Sequence, residues 1–114
     1  MKSEPAYLVH ILYCMARIQE DCAGGRDAVF ASSTLQDAIL RNLQILCEST
    51  QRLSDETKRL HPGIDWKGVA GMRNVLVHDY FGVDFEFVWS VIERDLPKLE
   101  QMVRDTLDEV ENAD

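Results

Sequence analysis

Apolar residues recur every three or four positions through most of this chain, and that spacing limits its fold more than any other feature. A stripe of this kind follows one face of a helix and predicts that the helix packs against a core. No stretch alternates apolar and polar residues as a half-buried strand would. The chain is therefore predicted to be all-α, an up-and-down four-helix bundle with a short extra helical turn and a kinked C-terminal helix.

Capping and breaking residues locate the first two helices. The first is predicted over about residues 5–22, and a Gly-Gly pair ends it and opens a loop. The second begins at the capping box Ser33-Thr34-Leu35-Gln36 and extends to about Leu53. A short helical turn then reaches about Leu60, where a Pro-Gly pair breaks it.

The later helices follow from the same kind of signal. Asp65 is the predicted cap of the third helix, which runs to His78 or Tyr80. Asp84 caps the fourth, whose apolar stripe keeps its phase past Pro97. A proline inside a helical stripe predicts a kink at that point, or two helices nearly in line.

Length and composition describe one soluble domain over residues 1–114. No apolar run is long enough to span a bilayer, and the first residues lack a signal-peptide pattern, so a cytoplasmic protein is expected. The three histidines do not have the spacing of metal ligands, so no metal site and no cofactor are expected. Reduced and buried thiols are expected for the three cysteines, Cys14, Cys22 and Cys47.

The net charge is −8 and is unevenly distributed. Residues 93–114 hold eight acids and three bases, which gives −5, and the remaining residues hold twelve acids and nine bases, which gives −3. This balance disfavours broad nonspecific binding to nucleic acid, which needs a basic footprint. The acidic C-terminal segment is predicted to be a solvated helix face that would also steer a basic protein partner.

Residues 73–80 read Arg-Asn-Val-Leu-Val-His-Asp-Tyr, inside what is otherwise predicted to be a buried helix. Their polar groups are costly to desolvate without partners, so they form either a structural network or a site. The apolar arc of this helix extends through Trp66 and Val77 to a second side, which predicts contact with a second copy of the chain. Gly68 and Gly71 would allow a close approach between helices.

Helical geometry determines which of these groups can meet. Successive residues turn by about 100°, so Asn74 and His78 share a face, whereas Arg73 and His78 diverge by about 140°. One helix therefore presents Arg73 and His78 poorly to a single ligand, unless its end unwinds or the arginine curls round it. A two-fold pairing of this helix removes the difficulty, because the Arg-His sets of both copies then line one cleft.

Arginine and histidine without a metal suit the cleavage of a phosphodiester in RNA. His78 would move the proton of the ribose 2′-hydroxyl or of the leaving oxygen, and Arg73 would stabilise charge on the phosphorus oxygens. Asn74 would orient His78 or hold a phosphate, and the product would carry a cyclic phosphate end. Spacing alone favours a structural Arg-His pair, because Arg-x4-His is common by chance.

A composite of short motifs over about residues 35–100 resembles the HepT-like family of HEPN domains, which are small α-helical bundles. The resemblance implies a HEPN-like fold and a homodimer whose Arg-x4-His-x-Tyr motifs line a composite cleft. The matching pieces follow the family's order and are Arg41-Asn42-Leu43-Gln44-Ile45, Trp66, Gly71-Met72-Arg73-Asn74, Leu76-Val77-His78-x-Tyr80, Val83-Asp84, Val88-Trp89, and Leu96-Pro97 with Leu99.

The resemblance also implies a function. HepT-like proteins are metal-independent ribonucleases and act as the toxin of a toxin–antitoxin pair; a MntA-like nucleotidyltransferase silences them by adding AMP to the motif tyrosine. On this chain, Arg73 and His78 would be catalytic, Asn74 supporting, and Tyr80 the modified residue, with RNA as the substrate. Added nucleotidyl groups would bring bulk and negative charge that exclude RNA from the cleft.

Two other interpretations stay open. Related bundles serve as noncatalytic partner subunits of minimal nucleotidyltransferases, where they bind a nucleotide or present a substrate, and the net charge fits that role at least as well. Alternatively, Arg73, Asn74 and His78 form a dimer-interface network with no ligand. His78→Ala leaves a binding module unaffected, and Arg73→Ala in an interface network only destabilises the dimer.

Overall fold

The computed structural model describes residues 3–112, which form helices and no strand. This confirms the predicted all-α class. The elements are α1 (Glu4–Asp21), α2 (Arg26–Phe30), α3 (Ser33–Thr50), α4 (Asp55–Leu60), α5 (Trp66–His78), a 3-10 turn η1 (Tyr80–Gly82), α6 (Phe85–Arg94) and α7 (Leu96–Glu111).

The helix α3 is the centre of the bundle. It packs most extensively against α1 and also contacts α2 and α5, whereas α7 packs on α1 and α6. Its apolar stripe buries Ile39, Leu43 and Leu46 against the α1 stripe of Leu8 and Ile11. Two long helices with facing stripes therefore supply most of the core, and α5 is attached to that core along one side.

The segment after α1, predicted as a loop, contains the short helix α2. Gly25 precedes the first residue of α2 and has a φ of 92°, a conformation that favours glycine. Val29 is fully buried, and the ring of Phe30 contacts Phe85 edge-on with centroids 5.3 Å apart. The guanidinium carbon of Arg26 lies over the ring of Phe30, 4.1 Å from its centroid. Tertiary packing thus orders a segment whose local sequence indicates only a turn.

The N-terminus of α3 differs from the predicted capping box. Ser32, and not Ser33, is the cap, and its hydroxyl accepts a hydrogen bond from the amide of Leu35 at 3.1 Å. The side chain of Gln36 donates to two carbonyls of α2 instead of returning to the cap. The helix ends at Thr50, three residues before the predicted end.

The caps predicted for the later helices are confirmed. The carboxylate of Asp65 accepts from the amide of Gly68 at 2.9 Å, and the carboxylate of Asp84 accepts from the amide of Glu86 at 3.0 Å. The fourth predicted helix is interrupted at Asp95, where α6 ends and α7 begins. The break lies next to Pro97, whose ring and missing amide hydrogen disfavour an uninterrupted helix.

The cysteines are free thiols within the described residues. Cys14 and Cys47 are buried as predicted, whereas Cys22 is only partly buried. Burial raises the pKa of the Cys47 thiol to about 12. A thiol that resists ionisation is a poor nucleophile, so we assign Cys47 a role in packing and not in catalysis. None of the helices described between residues 3 and 112 is long and apolar enough to cross a membrane.

Candidate ribonuclease site

The C-terminal half of α5 and the turn after it hold every predicted site residue. Arg73, Asn74 and His78 lie in the helix, and His78 is its last residue. Asp79 leaves the helical conformation with φ −140° and ψ 47°, and Tyr80 then begins η1. Because α5 stays helical through His78, its end does not unwind to bring the two predicted catalytic side chains together.

Most of α5 is exposed in the single chain, contrary to the predicted buried helix. Leu76 is its only buried residue. Val75 and Val77 are 45% and 37% exposed. The indole of Trp66, predicted on the side facing a second copy, instead donates within the chain to the carbonyls of Lys58 and His61. The core of one copy covers α5 along a narrow strip, and the rest of its surface stays open.

The guanidinium of Arg73 keeps unused hydrogen-bonding capacity. Its Nη1 donates to Oδ1 of Asn74 at 3.2 Å. Its Nε is buried and has no acceptor among residues 3–112. A buried donor without an acceptor costs about 1–3 kcal/mol, so an acceptor supplied by a bound anion or by another chain would be favourable at this position.

Arg73 and His78 do not meet in one chain. Among the described residues no hydrogen bond joins them, and the imidazole of His78 is exposed to solvent. Five helical residues separate them, which sets their directions about 140° apart. Asn74 contacts Arg73 through its side chain, although its position on the helix is one turn from His78. A single copy therefore presents two half-sites on different faces of α5.

Tyr80 has a partner that the sequence did not indicate. Its phenol donates to Oδ1 of Asp37, near the start of α3, at 3.1 Å. Partial burial and the neighbouring Asp37 carboxylate raise the pKa of Tyr80 above its ordinary value. The two residues are 43 positions apart, and nothing in the local sequence of α3 marks Asp37, so only the packing of α3 against α5 reveals this contact.

Replacing Asp37 by Asn should lower the pKa of Tyr80, because the substitution removes the charge and keeps the side-chain shape. A raised phenol pKa means that the folded state prefers the neutral form. The contribution of this preference to the stability of the folded state is complete below about pH 10, and it is lost as the pH rises through the folded-state pKa of Tyr80. The measurement is an ultraviolet absorbance titration, with Tyr80→Phe assigning the transition among three tyrosines. An unchanged transition in Asp37→Asn would contradict the electrostatic role of this pair.

The two glycines of α5 differ in the space around them. A side chain at Gly68 would collide with the capping carboxylate of Asp65. A Cβ atom at Gly71 would meet nothing within 4 Å among residues 3–112. Glycine inside a helix costs about 1 kcal/mol relative to alanine, and contacts within this chain do not require it at Gly71. The side of α5 at Gly71 is therefore accessible to a ligand or to another protein chain.

Two apolar clefts flank this open side of α5. They have volumes of about 220 Å³ and about 360 Å³ and share Gly68, Met72 and Phe87 in their walls. Phe87, on α6, is 56% exposed, and Val75 lies beside it in the larger cleft. We refer to the surface formed by Gly71, Val75 and Phe87 as the glycine face. Exposed apolar surface of this kind is typical of an interaction site.

The side chains that the structure describes do not form a metal-binding cluster. Between residues 3 and 112, no group of three or more histidine, cysteine, aspartate or glutamate side chains is arranged to hold a metal ion. The metal independence of the reaction stays a prediction.

The fold and the site together define a class: a small helical bundle with an Arg-x4-His-x-Tyr stretch at the end of one helix. Comparison with known families supports that class, because the model of the family described as Ribonuclease HepT-like matches residues 11–106. This match covers most of the chain. The chain therefore belongs to the Ribonuclease HepT-like family.

Curated relatives agree with the family. A putative RNase of Caldanaerobacter subterraneus is 34% identical over 108 residues, 94% of this chain and 96% of that protein. A gamma-glutamylcyclotransferase and putative RNase of Methanocaldococcus jannaschii is 35% identical over 111 residues, and the chain spans only 50% of its length. A probable ribonuclease HepT of Thermococcus cleftensis is 42% identical over 64 residues, 56% of this chain and 58% of that protein. No solved structure matches the chain significantly.

Proposed function

We propose that this chain is a metal-independent endoribonuclease whose cleft is shared by two copies, with Arg73 and His78 as its catalytic residues. The observation that carries the shared cleft is the course of α5, which stays helical through His78 and keeps Arg73 on a diverging face. The open position at Gly71 lies two helical turns before His78, on the same side of α5. A second copy seated on the glycine face would bring two His78 side chains near each other.

The proposed reaction takes its nucleophile from RNA. A neutral His78 accepts the proton of the ribose 2′-hydroxyl, whose oxygen then bonds to the adjacent phosphorus. The bond from phosphorus to the 5′-oxygen breaks, and that oxygen takes a proton from His78 of the partner subunit in its imidazolium form. The long side chain of Arg73 reaches round α5 to this cleft, and its N–H groups, among them the Nε that lacks an acceptor among residues 3–112, stabilise the charge on the phosphorus oxygens. The products are a 2′,3′-cyclic phosphate end and a 5′-hydroxyl end.

The test is cleavage of a defined single-stranded RNA in the presence of EDTA, followed by analysis of the product ends. Cyclic phosphate ends produced with EDTA present would support the proposal. Binding of RNA or nucleotide without cleavage, by folded and dimeric protein, would favour the noncatalytic partner-subunit interpretation. Mass measurement must first show that Tyr80 carries no AMP, because a modified preparation would be silent for another reason.

We also propose that this chain is the toxin of a toxin–antitoxin pair and that a MntA-like nucleotidyltransferase silences it by adding AMP to Tyr80. The phenol oxygen would bond to the α-phosphorus of ATP, and pyrophosphate would leave. Asp37, whose Oδ1 is 3.1 Å from that oxygen, would accept the phenolic proton. The attached AMP would add a negative charge close to His78 and repel the RNA backbone.

Tyr80→Phe should keep most of the ribonuclease activity and should no longer be silenced by the nucleotidyltransferase. The substitution removes the only atom that AMP addition uses and keeps the aromatic ring that packs on the core. The measurement is intact mass and RNA cleavage before and after incubation with the nucleotidyltransferase and ATP. Tyr13→Phe, at an exposed tyrosine of α1, is the matched control and should be modified and silenced like the wild type. A mass increase on Tyr80→Phe would reject this assignment.

A further inference from the structure

The turn after α5 exposes an aromatic ring to which the proposed reaction gives no role. Phe81 is 100% exposed, although it lies three residues after His78 and directly follows Tyr80. Burying a phenylalanine side chain is worth about 1.5–3 kcal/mol, so full exposure forgoes that stabilisation. Phe81 lies three residues after the proposed catalytic histidine, so a ligand bound in the same cleft could cover its ring.

The backbone that carries Phe81 is fixed by its neighbours. The amide of Gly82 donates to the carbonyl of Asp79 at 3.0 Å, which closes the η1 turn. The rings of Tyr80 and Phe81 meet edge to face, with centroids 5.7 Å apart and planes at 88°. The hydrogen bond from Tyr80 to Asp37 restrains the first of these rings. These contacts lower the ordering cost of binding a flat ligand to Phe81.

The chemistry of the substrate points to a nucleobase as that ligand. Exposed aromatic rings recognise single-stranded RNA by stacking on unpaired bases, and each stacked base contributes substantially to affinity whatever its identity. The net charge of −8 gives the chain little of the long-range attraction to phosphate on which most RNA-binding proteins rely. Affinity must then come from short-range contacts at the cleft, and Phe81 is the fully exposed ring available there.

We propose that Phe81 stacks on an unpaired base next to the cleaved phosphate and thereby selects single-stranded over duplex RNA. This inference rests on the proposed ribonuclease function. A base in a duplex is already stacked on both sides, so it offers no face to Phe81. The stacking residue contacts the substrate away from the bonds that change, and its loss should raise KM more than it lowers kcat.

The test compares three substitutions in a His78→Ala background, where RNA is bound and not cut. Binding of a short fluorescent uridine oligonucleotide should weaken about 5- to 150-fold in Phe81→Ala, the range that corresponds to one stacked base. Phe81→Leu keeps an apolar side chain without a π-face and should lose as much, whereas Phe81→Trp should restore binding. An abasic oligonucleotide of the same length should bind the Phe81→Ala variant and its parent protein with equal affinity, because it offers no base to stack.

The possible failures are distinguishable. If Phe81→Leu binds RNA like the parent protein, stacking is rejected, whether or not the chain with an intact His78 cleaves RNA. If Phe81→Ala becomes monomeric by light scattering while Phe81→Leu stays dimeric and binds RNA normally, the ring is covered by a second copy and the inference is rejected. If Phe81 variants lose binding but the wild type never cleaves RNA, the stacking role stands and the ribonuclease proposal fails.

Discussion

His78→Ala should lower the rate of RNA cleavage by about 10²–10⁴, the range expected for loss of an acid-base group. The imidazole of His78 is exposed to solvent, so the substitution should leave the folding of each copy unchanged. Cleavage rates at substrate saturation, measured with EDTA present, separate this effect from a change in binding. His10→Ala, a histidine substitution on α1 outside the site, is the matched control and should retain full activity.

A mixed dimer tests whether two copies share the cleft. Wild-type and His78→Ala proteins are mixed in equal amounts and allowed to exchange subunits. The proposed reaction uses His78 of both copies, so only the wild-type homodimers, about a quarter of all dimers after random exchange, should cleave RNA. The mixture should therefore retain about a quarter of the activity of the same total amount of wild-type protein. Retention of about half of that activity would show that each copy acts independently and would contradict the shared cleft.

Gly71→Leu should produce a folded monomer with little ribonuclease activity. A Cβ atom at Gly71 meets nothing within 4 Å in the described part of one copy, and leucine favours the helix by about 1 kcal/mol over glycine. The added bulk would instead fill space that a second copy occupies. Overpacking costs about 1–3 kcal/mol, and a two-fold dimer carries the substitution twice, so its dissociation constant should rise by about 30-fold or more.

Three measurements on Gly71→Leu separate loss of the dimer from loss of folding. Circular dichroism should show unchanged helix content, light scattering should show the monomer, and RNA cleavage should fall in proportion to the dimer lost. Ala16→Leu adds similar bulk at an exposed position of α1 and should remain dimeric and active. A Gly71→Leu protein that stays dimeric at micromolar concentration and cleaves RNA normally would show that the glycine face is not the interface.

Local sequence determined the helical class and most helix boundaries. The caps Asp65 and Asp84 are recognisable because a cap acts on amides two or three residues away, within the same stretch of chain. The same proximity makes the Arg73, His78 and Tyr80 motif readable as one candidate site. Interactions between residues a few positions apart can be recognised from the spacing of residue types in the sequence.

Only the tertiary structure decided which of these residues meet. It ordered α2, whose local signal is a turn, because Val29 and Phe30 gain burial against other helices. It brought Asp37 to Tyr80 across 43 positions, and it kept α5 helical through His78, where the sequence left open that the helix end unwinds. These outcomes depend on how stripes from distant segments pack together, and that packing is a property of the whole bundle with no counterpart in local spacing.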